Sequence, residues 1–143
     1  MILSFSKDKF VADIKRGTKK HTIRTDKTRR WRKGMKIHFW RGSPRNKHAK
    51  IKPYSFDEGV CKGVEEIVIK RNSNLLQGFS VTVGGWGLTP EQIETLVKND
   101  GLTIEQFRMW FIPPGKDMFV GRIIHWTDLR YETMYSLPKR DIF

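Results

Sequence analysis

Two four-residue stretches, "TPEQ" at 89–92 and "TIEQ" at 103–106, limit the folds open to this 143-residue chain more than any other feature. In each, a threonine is followed three residues later by a glutamine. The hydroxyl accepts from the backbone N–H of the third helical residue, and the glutamine side chain reaches back to the cap residue's own N–H. Both stretches therefore start a helix. Pro90 takes the first helical position, where a missing N–H is no loss. Gly101 stops the first helix before the second begins, and "PPG" at 113–115 ends the second. Ile93, Leu96 and Val97 form the apolar stripe of one, and Phe107, Trp110 and Phe111 that of the other. Helices are predicted over 90–99 and 104–111.

Short strand patterns surround these helices. "ILSF" is apolar and bounded by serine. Ser6 is placed to cap a helix over 7–16, with Phe10, Val11 and Ile14 as its stripe and Gly17 as its end. "HTIRT" then alternates, putting Thr22 and Arg24 on one face and His21 and Ile23 on the other. "MKIHFW" puts Ile37 and Phe39 on one face, with Lys36, His38 and Trp40 opposite. "GVCKGVEEIVIKR" reads as a strand broken at Gly63, and "FSVTV" as another. "MFVGRIIHW" is apolar enough to be a central strand. No repeat or recurring βα unit is present. The predicted class is α+β, a small curved sheet or barrel with helices at its side, in a single domain over 1–143. Surface loops are expected at about 25–34 and 41–53, and the tail 131–143 has no readable pattern.

Charge is the next constraint. The formal net charge is +13, and residues 1–53 hold 18 of the 28 Lys/Arg but only 3 of the 15 Asp/Glu. Positive charge concentrated in this way repels itself and pairs best with phosphates, whose counterions are released on contact. Lys20, Arg24, Arg29, Arg30, Arg32, Lys33, Arg41 and Arg45 are the candidate phosphate ligands. Trp31 and Trp40 lie among them and suit base stacking, although Trp40 equally suits a core. Arg24 is expected to hold a phosphate or base edge, or else to pair with Asp100. Trp86, in the glycine-rich "GGWG", is a candidate pocket wall. That loop lacks the Lys-Ser/Thr of a phosphate loop.

Other classes are disfavoured. No stretch approaches the ~20 apolar residues of a membrane span, and "MILSFSKDKF" carries no export signal. The lone cysteine, Cys61, reads as a small core residue, and its solitude fits a reducing cytoplasm. The four histidines have no metal spacing, and His125 in "IIHW" reads as a core or rim residue. No metal or cofactor is predicted.

The pieces also match a known pattern in order. A short helix precedes "GTKKHTIR", similar to Gly-x-Lys-x-x-Thr-Ile-Arg. "KGMKIHFW" follows, with Met35 where aspartate is common, then "KNDGLTIEQFRMWF" and the closing "FVGRIIHW". Over about residues 2–127 the chain resembles the ASCH family, and most of all its small stand-alone bacterial and phage members. The resemblance implies a PUA-like β-barrel, an architecture recurrent in RNA binding. One bacterial branch of the family removes the acetyl group from acetylcytidine and related nucleosides. Its threonine nucleophile, lysine base and acidic partner fall, by motif position, on Thr22, Lys19 and Asp100. The branch carries glutamate where this chain has Asp100, one methylene shorter.

These readings give an expected partner and an expected site. The partner is RNA or single-stranded nucleic acid, or a nucleoside-like small molecule. Lys19, Thr22, Arg24 and Asp100 should line one polar cleft. Amide hydrolysis by Thr22 and Lys19 is the enzymatic alternative, and a protein-interaction module is a third.

Overall fold

The computed structural model describes residues 1–132. Of the unpatterned tail 131–143, all but the first two residues lie outside the described residues. Among the described residues eight strands and three helices follow one another: β1 (Ile2–Phe5), α1 (Asp8–Arg16), β2 (His21–Arg24), β3 (Lys36–Arg41), β4 (Tyr54–Val60), β5 (Gly63–Arg71), β6 (Phe79–Val83), β7 (Trp86–Gly87), α2 (Pro90–Asn99), α3 (Ile104–Phe111) and β8 (Met118–His125). The class is α+β. No helix among the described residues is long and apolar enough to cross a membrane.

Both capping boxes form as their residues dictate. Thr89 accepts from the Gln92 N–H while Thr89 N–H bonds the Gln92 side chain, and Thr103 and Gln106 repeat the exchange. The first helix departs from expectation at its start. Its N-cap is Lys7, which makes no side-chain capping bond, so Ser6 lies one residue too early to cap. Gly17 ends this helix in the left-handed region at φ 80°.

The strands divide into two sheets, β1-β3-β4 and β2-β8-β5-β6-β7. One face of the larger sheet is covered by α2 and α3. Ile67, Ile69, Val81, Val83 and Ile123 pack there against Ile93, Leu96 and Phe107, all nearly fully buried. Side chains of this size each stabilise the fold by about 1.5–3 kcal/mol when buried. A second core joins the smaller sheet to α1 through Leu3, Phe5, Phe10, Ile37 and Phe39, with Cys61 among them. β8 links the two cores. It lies between β2 and β5, and near its end Ile123 faces one core and Ile124 the other. That double duty explains its apolar density.

Among the described residues the strands do not close into a single barrel. On one side the chain carries the backbone bonding across from sheet to sheet: Cys61 N–H donates to Met35 O, and Lys62 N–H donates to His125 O. On the other side β1 and β2 share no ladder. Arg24 Nη2 instead donates to Ser4 O, 2.8 Å away, so a side chain bridges a seam that backbone pairing leaves open.

Candidate functional site

The seam opens into a pocket of about 370 Å³ lined by Lys19, Thr22, Arg24 and Asp100, with Phe5 and Phe10 among its apolar walls. This volume is within the roughly 300–1,000 Å³ usual for small-molecule sites. The four polar residues expected to converge are thus brought together from β2, the turn before it, and the end of α2.

Local bonding explains the convergence. After Gly17 the chain folds back on α1, and Asp13 O accepts from the backbone N–H groups of Thr18 and Lys19. Lys20 N–H then donates to Asn99 O at 2.7 Å, which clamps the turn to the end of α2. The Lys19 side chain is thereby laid along the Asp100–Gly101 corner. Gly101 has φ +82°, and a Cβ there would come within 3.3 Å of Lys19 Cδ, so a side chain would be both strained and crowded.

Lys19 is 3% exposed and Asp100 equally so. Lys19 Nζ donates to the backbone oxygen of Asp100 and, at 3.2 Å, to its Oδ1. The ammonium also lies 5.0 Å from the centre of the Phe10 ring. Burial pushes the Lys19 pKa down. The Asp100 carboxylate opposes this shift, and the positive charge of Arg24 adds to it. Arg24 stands over the Phe5 ring at 5.2 Å. Its Nε donates to Thr22 Oγ1 at 3.4 Å. Among the described residues, Lys19 Nζ makes no hydrogen bond to Thr22.

Behind the pocket runs a hydrogen-bonded chain that the sequence did not disclose. Asp100 Oδ1 lies 3.3 Å from His21 Nδ1, and His21 Nε2 lies 2.5 Å from the Tyr131 hydroxyl, which in turn receives Asn99 Nδ2 at 3.1 Å. One assignment satisfies every member: Asn99 donates to Tyr131, Tyr131 to His21 Nε2, and His21 Nδ1–H to Asp100. A parallel pair lies beside it, with His125 Nε2 2.7 Å from Glu65 Oε1. Glu65 also accepts the backbone N–H groups of Tyr131 and Glu132. The carboxylate only accepts, so His125 carries its proton on Nε2. Its Nδ1 has no partner among the described residues, as suits a neutral imidazole.

Both histidines are held below their ordinary value of 6.5, first of all by burial, with Asp100 and Glu65 respectively opposing the shift. The unfolded chain therefore binds more protons than the fold once the pH drops through 6.5. Stability is fully present above that value and is lost as pH falls toward the lower folded pKa values. A thermal melting point that falls steadily between about pH 6.5 and pH 5 is expected from these two groups. Glu65 enters only at lower pH. Burial would raise its pKa, but bonds from His125 and from two backbone N–H groups outweigh burial and hold it below 4.5. A melting point constant across that range would contradict the assignment of neutral histidines.

The expected nucleic-acid ligands are sorted by the structure. Arg30, Arg32, Lys33 and Arg45 are exposed, Lys20 is half-buried, and none has a carboxylate partner among the described residues. Arg29 pairs with Glu66 at 2.8 Å, and Arg41 with Asp8 at 2.8 Å. Trp31 is 6% exposed and packs in the second core, so little of its ring is open to stacking, although it is among the residues lining a concavity with Arg30 and Arg45. It is drawn in because Asp26 accepts its N–H while Arg122 binds both Asp26 and the Trp31 carbonyl. Trp40 is half-buried and borders a concavity with Lys47 and Lys52. Trp86 is on β7 at the edge of the larger sheet and is not part of the seam pocket's lining.

The two basic loops meet. Arg30 from one and Arg45 from the other line a concavity over β1 that also includes Ser4 and Ser43. Those two serines line the seam pocket as well, so the concavity runs into it. The molecule is thus an α+β domain of two sheets whose open seam holds a buried Lys–Asp pair beside a basic groove. No known protein family, curated protein or solved structure matches the chain.

Proposed function

We propose that the protein binds RNA or single-stranded nucleic acid and admits one nucleobase to the seam pocket. The observation that carries this reading is the continuity of the basic concavity with the pocket through Ser4 and Ser43. Phosphates follow the cations, and a planar base enters between the Phe5 and Phe10 side and the polar side chains. Arg24 spends Nε on Thr22 and Nη2 on Ser4, and Nη1 makes no bond among the described residues, which leaves it for a base edge. The resemblance to ASCH domains supports the same reading, since "GTKKHTIR" forms the pocket's wall. A PUA-like ancestry with one seam unpaired is part of the proposal.

A second reading is favoured by one observation: Lys19, with its pKa pushed down, shares the pocket with Thr22. In an amidohydrolase of this type Thr22 Oγ attacks the acetyl carbonyl of an acetylcytidine. Lys19, as the neutral amine, takes the hydroxyl proton and passes it to the departing cytosine nitrogen, leaving an acetyl ester on Thr22. Water then attacks the ester and releases acetate. Asp100 orients Lys19, and Arg24 holds the nucleoside.

One set of measurements separates these readings. Cytidine and acetylcytidine are titrated into the protein, and cytidine release is followed. Binding weakened about tenfold or more in Arg24→Ala, with no release, is the expected result for a binding pocket. Release by the wild type that is lost in Thr22→Ala assigns the hydrolase. Absence of nucleoside and RNA binding, with protein partners retained from extract after nuclease treatment, would replace both with a protein-interaction role.

A further inference from the structure

The helix stripe Phe107, Trp110 and Phe111 does not behave as one unit. Phe107 and Phe111 are 0% and 4% exposed, but Trp110 is 49% exposed. Its indole lines the seam pocket and also a neighbouring groove of about 280 Å³, formed with Lys7, Gln106 and Met109. The ring is not loose. Phe10 meets it edge-on, with centroids 5.8 Å apart and planes at 77°. Lys7 Nζ is 5.8 Å from the ring centre and has no carboxylate partner among the described residues. Lys9, the other cation of the groove, is engaged by Asp13 and by the Gly101 carbonyl. At a rim of the pocket other than the one shared with the Arg30 and Arg45 concavity, there is therefore a half-exposed, oriented aromatic ring with a cation over it that has no carboxylate partner among the described residues.

We propose that Trp110 is a stacking shelf for the nucleotide next to the one whose base occupies the pocket, and that Lys7 binds the phosphate of that second nucleotide. The proposal rests on the reading of the pocket as a nucleobase site and narrows its ligand to a single-stranded oligonucleotide rather than a free nucleoside. Three observations agree on this occupant. An aromatic ring presents a face that any base can stack on, whatever its sequence. A cation set against the same ring suits the phosphate that follows a stacked base. The shelf shares the Trp110 side chain with the pocket, so two neighbouring bases on one strand reach both. The basic concavity, the pocket and the shelf then form one track across the seam. A nucleoside that fills the pocket alone leaves the shelf empty.

The test uses a fluorescein-labelled RNA of about ten nucleotides, read by anisotropy, with unlabelled cytidine as competitor. Trp110→Ala is expected to weaken RNA binding about tenfold, to raise the cytidine inhibition constant by a clearly smaller factor because the indole is only one wall of the pocket, and to be largely rescued by Trp110→Phe. Lys7→Gln is expected to weaken RNA binding and to reduce the slope of log affinity against log salt by about 0.7. Lys7 carries the test if thermal melting shows that Trp110→Ala damages the fold. RNA binding at wild-type strength in both variants, with Arg24→Ala still weakened, would overturn the shelf and leave the pocket reading intact. Equal losses for RNA and cytidine in Trp110→Ala would also overturn it, because Trp110 would then act only through the pocket it lines and not on a second nucleotide. A wild-type protein that binds neither probe would remove the pocket reading and the shelf together.

Discussion

Asp100→Ala is expected to destabilise the fold by about 3–5 kcal/mol, the usual consequence of stranding one partner of a buried ion pair. Lys19 and Asp100 are both nearly excluded from solvent, and no other carboxylate bonds the Lys19 ammonium among the described residues. The substitution also leaves the His21 Nδ1–H without its acceptor. For a domain of this size the loss corresponds to a melting point lower by about 10 °C or more. The pH dependence identifies the cause. With its counter-ion gone, Lys19 is pushed still further below its unfolded value, so the fold binds fewer protons than the unfolded chain and gains stability as pH rises. The deficit of Asp100→Ala should therefore be greatest in mildly acidic solution and should shrink toward alkaline pH. Lys19→Met combined with Asp100→Leu removes both charges and should recover the part of the loss due to the stranded ammonium, though not the part due to His21, giving a large coupling energy in a double-mutant cycle with Lys19→Met and Asp100→Leu as the single variants. A melting point of Asp100→Ala within a few degrees of wild type at neutral pH would show that the pair does not hold the corner.

The second large effect is the response of RNA affinity to salt. Lys20, Arg30, Arg32, Lys33 and Arg45 lack carboxylate partners among the described residues. Arg29 and Arg41 must first release Glu66 and Asp8. If about five phosphates are neutralised, log affinity falls with log salt at a slope near −3.5, roughly a hundredfold between 50 and 200 mM salt. Arg30→Gln with Arg45→Gln should flatten that slope by about 1.4, because each removes one phosphate contact. Arg29→Gln should change it less, since breaking its ion pair offsets part of what a phosphate contact returns. A slope near zero in the wild type would mean that the cations of the two loops do not face the ligand.

The parts that were legible share a physical property: their contacts are short in sequence. The two capping boxes are exchanges between residues three apart, and α2 and α3 have the limits their boxes imply. Gly17 ends α1 through its own backbone freedom. Strand faces were legible wherever one side is buried, as in β3 with Ile37 and Phe39 inside. Most of β4 escaped notice, with only Gly59 and Val60 read as the start of the next strand, because it is an edge strand with no buried residue, so its sequence shows no alternation. β7 is two residues long and depends wholly on pairing with β6.

The site divides in the same way. Thr22 and Arg24 share a face because strand geometry has a period of two, which the sequence alone determines. The resemblance to ASCH domains alone suggests one cleft for Lys19 and Asp100, whose contact spans 81 positions. Only tertiary structure decided which polar groups stand behind them. His21 and Tyr131 are 110 positions apart, and neither residue carries a local sign of the bond between them. Tertiary structure also decided the fate of the tryptophans. Trp31 lies in the most basic loop of the chain and is nonetheless core, because Asp26 and Arg122 pull its backbone inward. Trp110 lies on an apolar helix stripe and is nonetheless half-exposed, because the sheet beneath α3 is already filled by Phe107 and Phe111. Residue type and spacing set helix limits, strand faces and the gathering of positive charge in residues 1–53. Burial and pairing over long sequence separation set which strands join, where the seam stays open and which aromatic ring meets solvent, because those outcomes depend on neighbours that the chain supplies only after it has folded.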